Sequence, residues 1–172
     1  MKPIIWHESE KLGKTRKIVF KLNGKEVSAI VDTRLTLLDL LRDVFHLTSP
    51  KRGCDETICG ACAVLVNNRA ICSCTMLAVE VDGSDVVTLE GLGSENNLDL
   101  LQEAFIKFDA LQCGFCTPGQ IISAKSLILN MKGEIMEEDI KETLSGNICR
   151  CGAYNNILQA VKYATQKVRE KT

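Results

Sequence analysis

Residues 53–62, GCDETICGAC, decide how this chain is read. Cys54, Cys59 and Cys62 stand there in the pattern C-x4-C-x2-C, and Cys74 follows as C-x11-C. Gly53 and Gly60 let the backbone curl tightly around whatever the thiols hold. A second set, Cys113, Cys116, Cys149 and Cys151, reads C-x2-C-x32-C-x-C. The ninth cysteine, Cys72, lies two residues before Cys74.

Nine cysteines in 172 residues could mean a disulfide scaffold or a metal protein. The count is odd, and the N-terminal apolar patch, Ile4 to Trp6 after Pro3, is too short for a signal h-region. Both points argue against disulfides and make a cytoplasmic location the default expectation. Net charge is −1 with no long basic run, so the footprint of a nucleic-acid binder is missing. No stretch approaches the roughly 20 apolar residues that span a bilayer.

Clustered thiols in a reducing compartment serve a metal more often than they pair. Iron is thiophilic, and four thiolates hold a two-iron cluster. The first set contains the plant-type spacing of [2Fe–2S] ligands. Zinc is the rival, but structural zinc sites favour matched C-x2-C pairs, and three cysteines on one glycine loop fit iron better. For the second set alone zinc is a serious rival. Two four-thiolate sets in one chain suggest two redox centres in series, and therefore movement of electrons. Lys51 and Arg52 precede the first loop, where they either favour the thiolate forms or stand as solvated surface charges. Cys72 and Cys74, at i and i+2 of one expected strand, share a face, so spacing leaves the fourth ligand open between them.

Around the cysteines the pattern changes from strand to helix. Residues 1–14 read as a loosely held arm. Residues 15–22 and KEVSAIV, joined by Asn23-Gly24, predict a hairpin. Residues 36–47 predict a helix with Thr36 and Asp39 as a capping box. AVLV at 63–66, a turn at Asn67-Asn68, a returning strand through Cys72 and Cys74, and 85–89 complete a small sheet. Gly, Ser, Asn and Asp mark a boundary near 83–95. Helices are then expected at 98–108, from Thr117 as N-cap with Pro118 at N1 through GQIISAKSLILNMK, at 137–144 ended by Gly146, and at 154–169. The expected class is α+β. Cys113 and Cys116 fall at a helix start, where N–H groups favour thiolate. Cys149 and Cys151 fall between two helices.

The segments GCDETICGACAVLV, the Cys74 strand, TLEGL, QCGFCTPGQIISA and GNICRCGAYNNI resemble the small iron–sulfur subunit of the xanthine dehydrogenase and aldehyde oxidase family over residues 15 to about 165. The resemblance implies a β-grasp, plant-type ferredoxin domain over 15–90, after an arm over 1–14, and a four-helix-bundle [2Fe–2S] domain over 91–172. It implies ligation of one cluster by Cys54, Cys59, Cys62 and Cys74, with Cys72 a small buried hydrophobe. The other cluster would be held by Cys113, Cys116, Cys149 and Cys151. It also implies a large molybdopterin-binding partner and a medium FAD-binding partner, in a heterotrimer or a dimer of heterotrimers. Such a complex hydroxylates its substrate with oxygen from water, an aldehyde by overall likeness, or else a purine or other N-heterocycle, an aromatic acyl-CoA or carbon monoxide. Gln112 would hydrogen-bond the pterin, since an amide both donates and accepts. Cys151 would lie against the pterin amino group and admit the electron. No catalytic residue is expected in this chain itself. Asp55, Thr57 and Ile58 depart from the small residues of many relatives and bear on potential.

Two other readings stay open: a zinc-stabilised interaction module, and a ferredoxin acting alone. His7 and His46 are too scattered for catalysis. Glu137, Glu138 and Asp139 suit a first helical turn, and His46 a helix end. Met131 and Met136 read as core filler or surface.

Overall fold

The computed structural model describes residues 4–5, 14–94, 96–131 and 133–170. A six-stranded mixed sheet comes first, in the order β1-β3-β2-β6-β4-β5. The long hairpin of β2 (Thr15–Leu22) and β3 (Lys25–Asp32) is paired in full, from Thr15↔Asp32 to Leu22↔Lys25. Asn23 and Gly24 close it at φ 51° and 77°, the left-handed pair that a two-residue turn demands. Ile18, Phe20 and Leu22 alternate inward from β2 and meet Ala29 and Val31 of β3. β1 (Ile4–Ile5) adds to β3 in parallel, Ile4↔Ala29 and Ile5↔Ile30. The arm expected to be loose is therefore tied to the sheet edge at these two residues. Trp6 and His7 lie outside the described residues.

β4 (Ala63–Val66) and β5 (Arg69–Cys72) form a second hairpin, with Asn67 and Asn68 at φ 50° and 67°. β6 (Asp85–Val87) joins the halves, parallel to β2 and antiparallel to β4. It stops short of the expected residue 89 because Leu89–Gly91 turn into a 3-10 helix. β5 also stops early, so Cys74 is not on the strand, as expected, but in the turn beyond it.

The helix expected at 36–47 is one α-turn, α1 (Leu37–Asp39), continued as a π-turn over Leu40–Val44. Thr36 Oγ1 accepts from the Asp39 N–H at 3.1 Å and donates to the Asp39 carboxylate at 2.6 Å. The capping interaction is present, but Asp39 reaches the hydroxyl rather than the backbone. Exposed His46, at φ 55°, closes the segment. Leu37, Leu40 and Leu41 are buried in the sheet core, while Leu38 turns to the cysteines.

After the sheet come α2 (Leu100–Lys107), α3 (Thr117–Asn130), α4 (Glu137–Leu144) and α5 (Tyr154–Glu170). They share one apolar core built on Leu101, Phe105, Ile121, Ile140, Ile157 and Val161. Asp99 caps α2 with Gln102 as its box partner. The N-cap of α3 is Cys116, not Thr117, which is already helical; Pro118 keeps its place in the first turn. α4 ends at Ser145 rather than by a left-handed Gly146. Glu137, Glu138 and Asp139 do sit in its first turn. Met131 and Met136 are exposed, so they are surface and not core.

α3 is the helix that joins the halves. Ile122 packs on Ala63 and Leu65 of β4. Ser126 Oγ accepts from the Ala70 N–H at 3.0 Å and donates to the Asn68 carbonyl at 3.2 Å. Asn130 donates to the same carbonyl at 2.8 Å, so the helix covers the sheet edge at β5. Because Ile122 is 1 % exposed, Ile122→Ala should cost about 2–5 kcal/mol and loosen sheet from helices together. Urea unfolding followed by far-UV dichroism, compared with the parent chain, measures this.

Candidate metal centres

The loop 53–62 is wound by alternating backbone handedness. Asp55 and Thr57 both have φ 63°, and Gly60 has φ 69°. A left-handed residue among right-handed neighbours turns successive N–H groups to one side, making a concave nest for negative charge. Here the N–H groups of Glu56, Ile58 and Cys59 donate to Cys54 Sγ at 3.4, 3.3 and 3.4 Å. They draw the Cys54 thiol down to about 7. The Thr57 N–H is aimed at Cys74.

Two more thiols of the set, those of Cys62 and Cys74, are buried, while Cys59 is half-buried. Cys62 and Cys74 pack on Leu38 with Cys72 beside them. A hydrogen bond from Cys62 to Cys72, with burial, pushes the Cys62 thiol up. Burial, ahead of all else, pushes Cys74 up to about 11. Lys51 and Arg52 do not assist the thiolates. Arg52 is bound to Asp55 at 2.7 Å and to Asp39, and Lys51 donates to the Thr48 carbonyl at 2.6 Å.

The second set lies in the loops before α3 and α5. Gly114 and Gly152, at φ 78° and 76°, do there what Asp55 and Thr57 do in the first loop. The Phe115 N–H and then the Cys151 thiol lower Cys113. Burial raises Cys149, yet hydrogen bonds from the Ala153, Cys151 and Gly152 N–H groups and the Cys116 thiol outweigh it and leave it lowered. Burial first, then the bond to Cys149, pushes Cys116 up to about 12. The thiols thus meet in pairs, Cys113 with Cys151 and Cys116 with Cys149. Among the described residues no three His, Cys, Asp or Glu side chains converge on the point one ion would occupy. Cys113, Cys151 and Gln112 are exposed; Cys149 is buried.

The two cysteine loops touch. The Ile148 N–H donates to the Cys59 carbonyl at 3.0 Å. Next to it, Asn147 Nδ2 donates to the Gly60 carbonyl at 3.2 Å, and buried Gln120 donates to the Asn147 carbonyl at 3.0 Å. A Cβ on Gly119 would stand 2.3 Å from the Gly60 oxygen, so α3 meets the first loop backbone to backbone. A Cβ on Gly53 would lie 3.6 Å from the Phe115 ring of the second loop.

Sequence reasoning gave no role to Asn147, Gln120, Tyr154 or Glu90, although all stand in the segments quoted above. Tyr154 Oη accepts from the Cys149 N–H at 2.8 Å. The Glu90 carboxylate accepts from the N–H groups of Thr48 and Ser49 at 3.1 and 2.8 Å, and from the hydroxyls of Ser49 and Thr88. It fastens the segment that leads into the first cysteine loop. Partial desolvation pushes this carboxyl up, but the donations from Ser49 and Thr88 prevail and hold it below the usual range.

Residues 20–88 match the family described as the 2Fe-2S iron-sulfur cluster binding domain, and residues 88–162 the [2Fe-2S] binding domain. The class is therefore a protein with two [2Fe–2S]-binding segments. The aldehyde oxidoreductase iron-sulfur-binding subunit of Escherichia coli strain K12 is 45 % identical over 166 residues, covering 88 % of this chain and 72 % of that one. The nicotinate dehydrogenase small FeS subunit of Eubacterium barkeri is 44 % identical over 150 residues, covering 87 % and 95 %. The crystal structure of quinoline 2-oxidoreductase from Pseudomonas putida 86 superposes with TM-score 0.84 at 35 % identity, covering 92 % of this chain and 98 % of that one. Aldehyde oxidoreductase from Desulfovibrio gigas gives 0.86 at 36 % identity, covering 91 % of this chain and 18 % of that one. The chain belongs to the family of iron–sulfur subunits of aldehyde oxidoreductase and related molybdenum hydroxylases, and its role is electron transfer within an oxidoreductase.

Glu90→Gln should cost roughly 1–3 kcal/mol, because a charged acceptor of several donors becomes neutral. A lowered carboxyl stabilises above its unfolded value of about 4.3, and the contribution fades as pH falls through the folded value. Thermal unfolding of both chains from pH 7 down to about pH 2 should show the gap between them held above about 4.3 and closing below it.

Proposed function

We propose that Cys54, Cys59, Cys62 and Cys74 hold one [2Fe–2S] cluster and Cys113, Cys116, Cys149 and Cys151 the other. The donor set fits. Thiolate ligands supply the soft donors that iron takes. The inward N–H groups at Cys54 and Cys149 offset the negative charge of such a group. Thr117 Oγ1, buried beside Cys116 without a hydrogen-bond partner, is a further donor. The pairing of thiols in the second set suits two irons with two ligands each. When bound, each cluster accepts and releases an electron at a potential set by its surroundings.

The observation that carries this reading is the direct contact of the two loops, Ile148 N–H to Cys59 carbonyl at 3.0 Å. Ile148 adjoins Cys149, so one hydrogen bond and a short run of covalent bonds join the two ligand sets. A β-grasp ferredoxin domain over 15–90 and a four-helix-bundle domain over 91–172 are the division we infer, supported by the separate sheet and helix cores.

Entry of the electron is assigned to the exposed end of the second set. Gln112 would meet the pterin of a large molybdopterin-binding partner, and Cys151 its amino group. Leu111, Phe115, Ile148 and Tyr154 surround these positions as exposed apolar side chains, the composition of an interface core. Exit would follow from the first loop to FAD on a medium partner, in a heterotrimer or a dimer of heterotrimers. The small-subunit relatives support such partners. An aldehyde is the substrate class we favour for the complex, from the Escherichia coli relative; the nicotinate relative, one percentage point less identical, supports an N-heterocycle as the second reading. Eight cysteines assigned to iron and none paired in a disulfide support a reducing, cytoplasmic setting, and among the described residues no helix is long and apolar enough to cross a membrane.

The purified, reconstituted chain should contain about four irons and about four acid-labile sulfides, and show two distinct paramagnetic signals on dithionite reduction. Bound zinc and a colourless protein would refute the assignment. Phe115→Asp should leave iron content unchanged while weakening co-purification with the large partner at least tenfold, since a charge is buried in an apolar contact.

A further inference from the structure

Cys72 has no part in the ligand sets above, yet its thiol is inside the first one. As the last residue of β5, it pairs across with Ala63, the neighbour of Cys62. Its side chain packs against the buried cluster of Leu38, Cys62 and Cys74. Between Cys72 and Cys74 stands Ser73, fully buried and pinned from three directions. Its hydroxyl donates to the Cys62 carbonyl at 2.7 Å, its N–H reaches the same oxygen at 3.4 Å, and its own carbonyl accepts from the Leu38 N–H at 2.9 Å. One fixed residue therefore presents two thiols, one on each side, to the same partner, Cys62.

We propose that Cys72 is a reserve ligand of the first cluster, able to take the iron position of Cys74. This rests on the ligand reading above. Five thiols line a cage that needs four, and the two alternatives flank one fixed residue, so rotation of the Cys72 and Cys74 side chains about their own χ1, with Ser73 held in place, exchanges them. In the exchange the Cys72 thiol releases a proton and forms the bond to iron. The bond to Cys74 breaks and its thiolate takes up a proton. Iron oxidation state and total charge are unchanged.

The test uses the full chain, reconstituted with iron and sulfide, as parent, Cys72→Ala, Cys74→Ala and the double variant. Parent, Cys72→Ala and Cys74→Ala should each hold about four irons, and the double variant about two. The paramagnetic signal of the first cluster should move in Cys74→Ala. The signal of the second cluster, retained in all four, reports that each has folded. A fall to about two irons in Cys74→Ala overturns the proposal, and so does the same fall in Cys72→Ala, which would make Cys72 the resident ligand. Four irons in the double variant overturn it as well. A parent chain without iron would sink the ligand reading instead, so the two failures are distinguishable.

Discussion

The carbonyls of Cys59 and Gly60 are the point on which the molecule turns. They leave the first cysteine loop and are received by the second, through the Ile148 N–H and the Asn147 amide. A buried carbonyl must find a donor, because an unpaired one costs about as much as a lost hydrogen bond. Both donors come from the residues just before Cys149. Gln120 holds Asn147 from behind, and Gly119 removes the side chain that would keep α3 away. The satisfaction of two backbone oxygens thus fixes the separation of the two thiol sets.

Each thiol set solves the same electrostatic problem in a different way. Charge on sulfur in a low-dielectric pocket needs dipoles turned toward it. The second set uses glycines, Gly114 and Gly152, where left-handed backbone carries little steric cost. The first uses Asp55 and Thr57 in that conformation, which costs a β-branched residue more. Asp55 is compensated by its bond to Arg52. Asp55 therefore also recruits Arg52 into the loop's scaffold. Hydrogen bonding and exposure at the sulfurs are the levers on potential, and both differ between the two loops.

Local features were legible to the extent that they depend on near neighbours. Asn23-Gly24 and Asn67-Asn68 need left-handed backbone in either context, and both hairpins are where the pattern put them. The helices α4 and α5 follow their apolar periodicity closely. Misreadings occur where a distant group intervenes. The strand expected to carry Cys74 ends at Cys72 because the Ser73 carbonyl is taken by the Leu38 N–H, leaving only a 3.4 Å approach of the Ser73 N–H to the Cys62 carbonyl opposite. One misreading is local instead: Cys116 displaces Thr117 as N-cap because its own carbonyl already accepts from the Gln120 N–H, four residues on. Ile4–Ile5 could not be read as a strand, since its partner lies some 25 residues away in β3 and offers no local signal.

Residue type and spacing alone determined the soft, four-thiolate chemistry, its duplication, and the change from strand to helix between the two sets. Those follow from what thiolates bind and from periods of two and 3.6, which need no knowledge of distant contacts. Only the tertiary structure decided that the loops abut, that Glu90 and Asn147 hold them, that Arg52 is committed to Asp39 and Asp55, and that Cys72 shares a cage with Cys62. All but the Arg52–Asp55 pair are contacts between residues well separated in the chain, set by the burial of α3 on β4 and of Leu38 on the thiols.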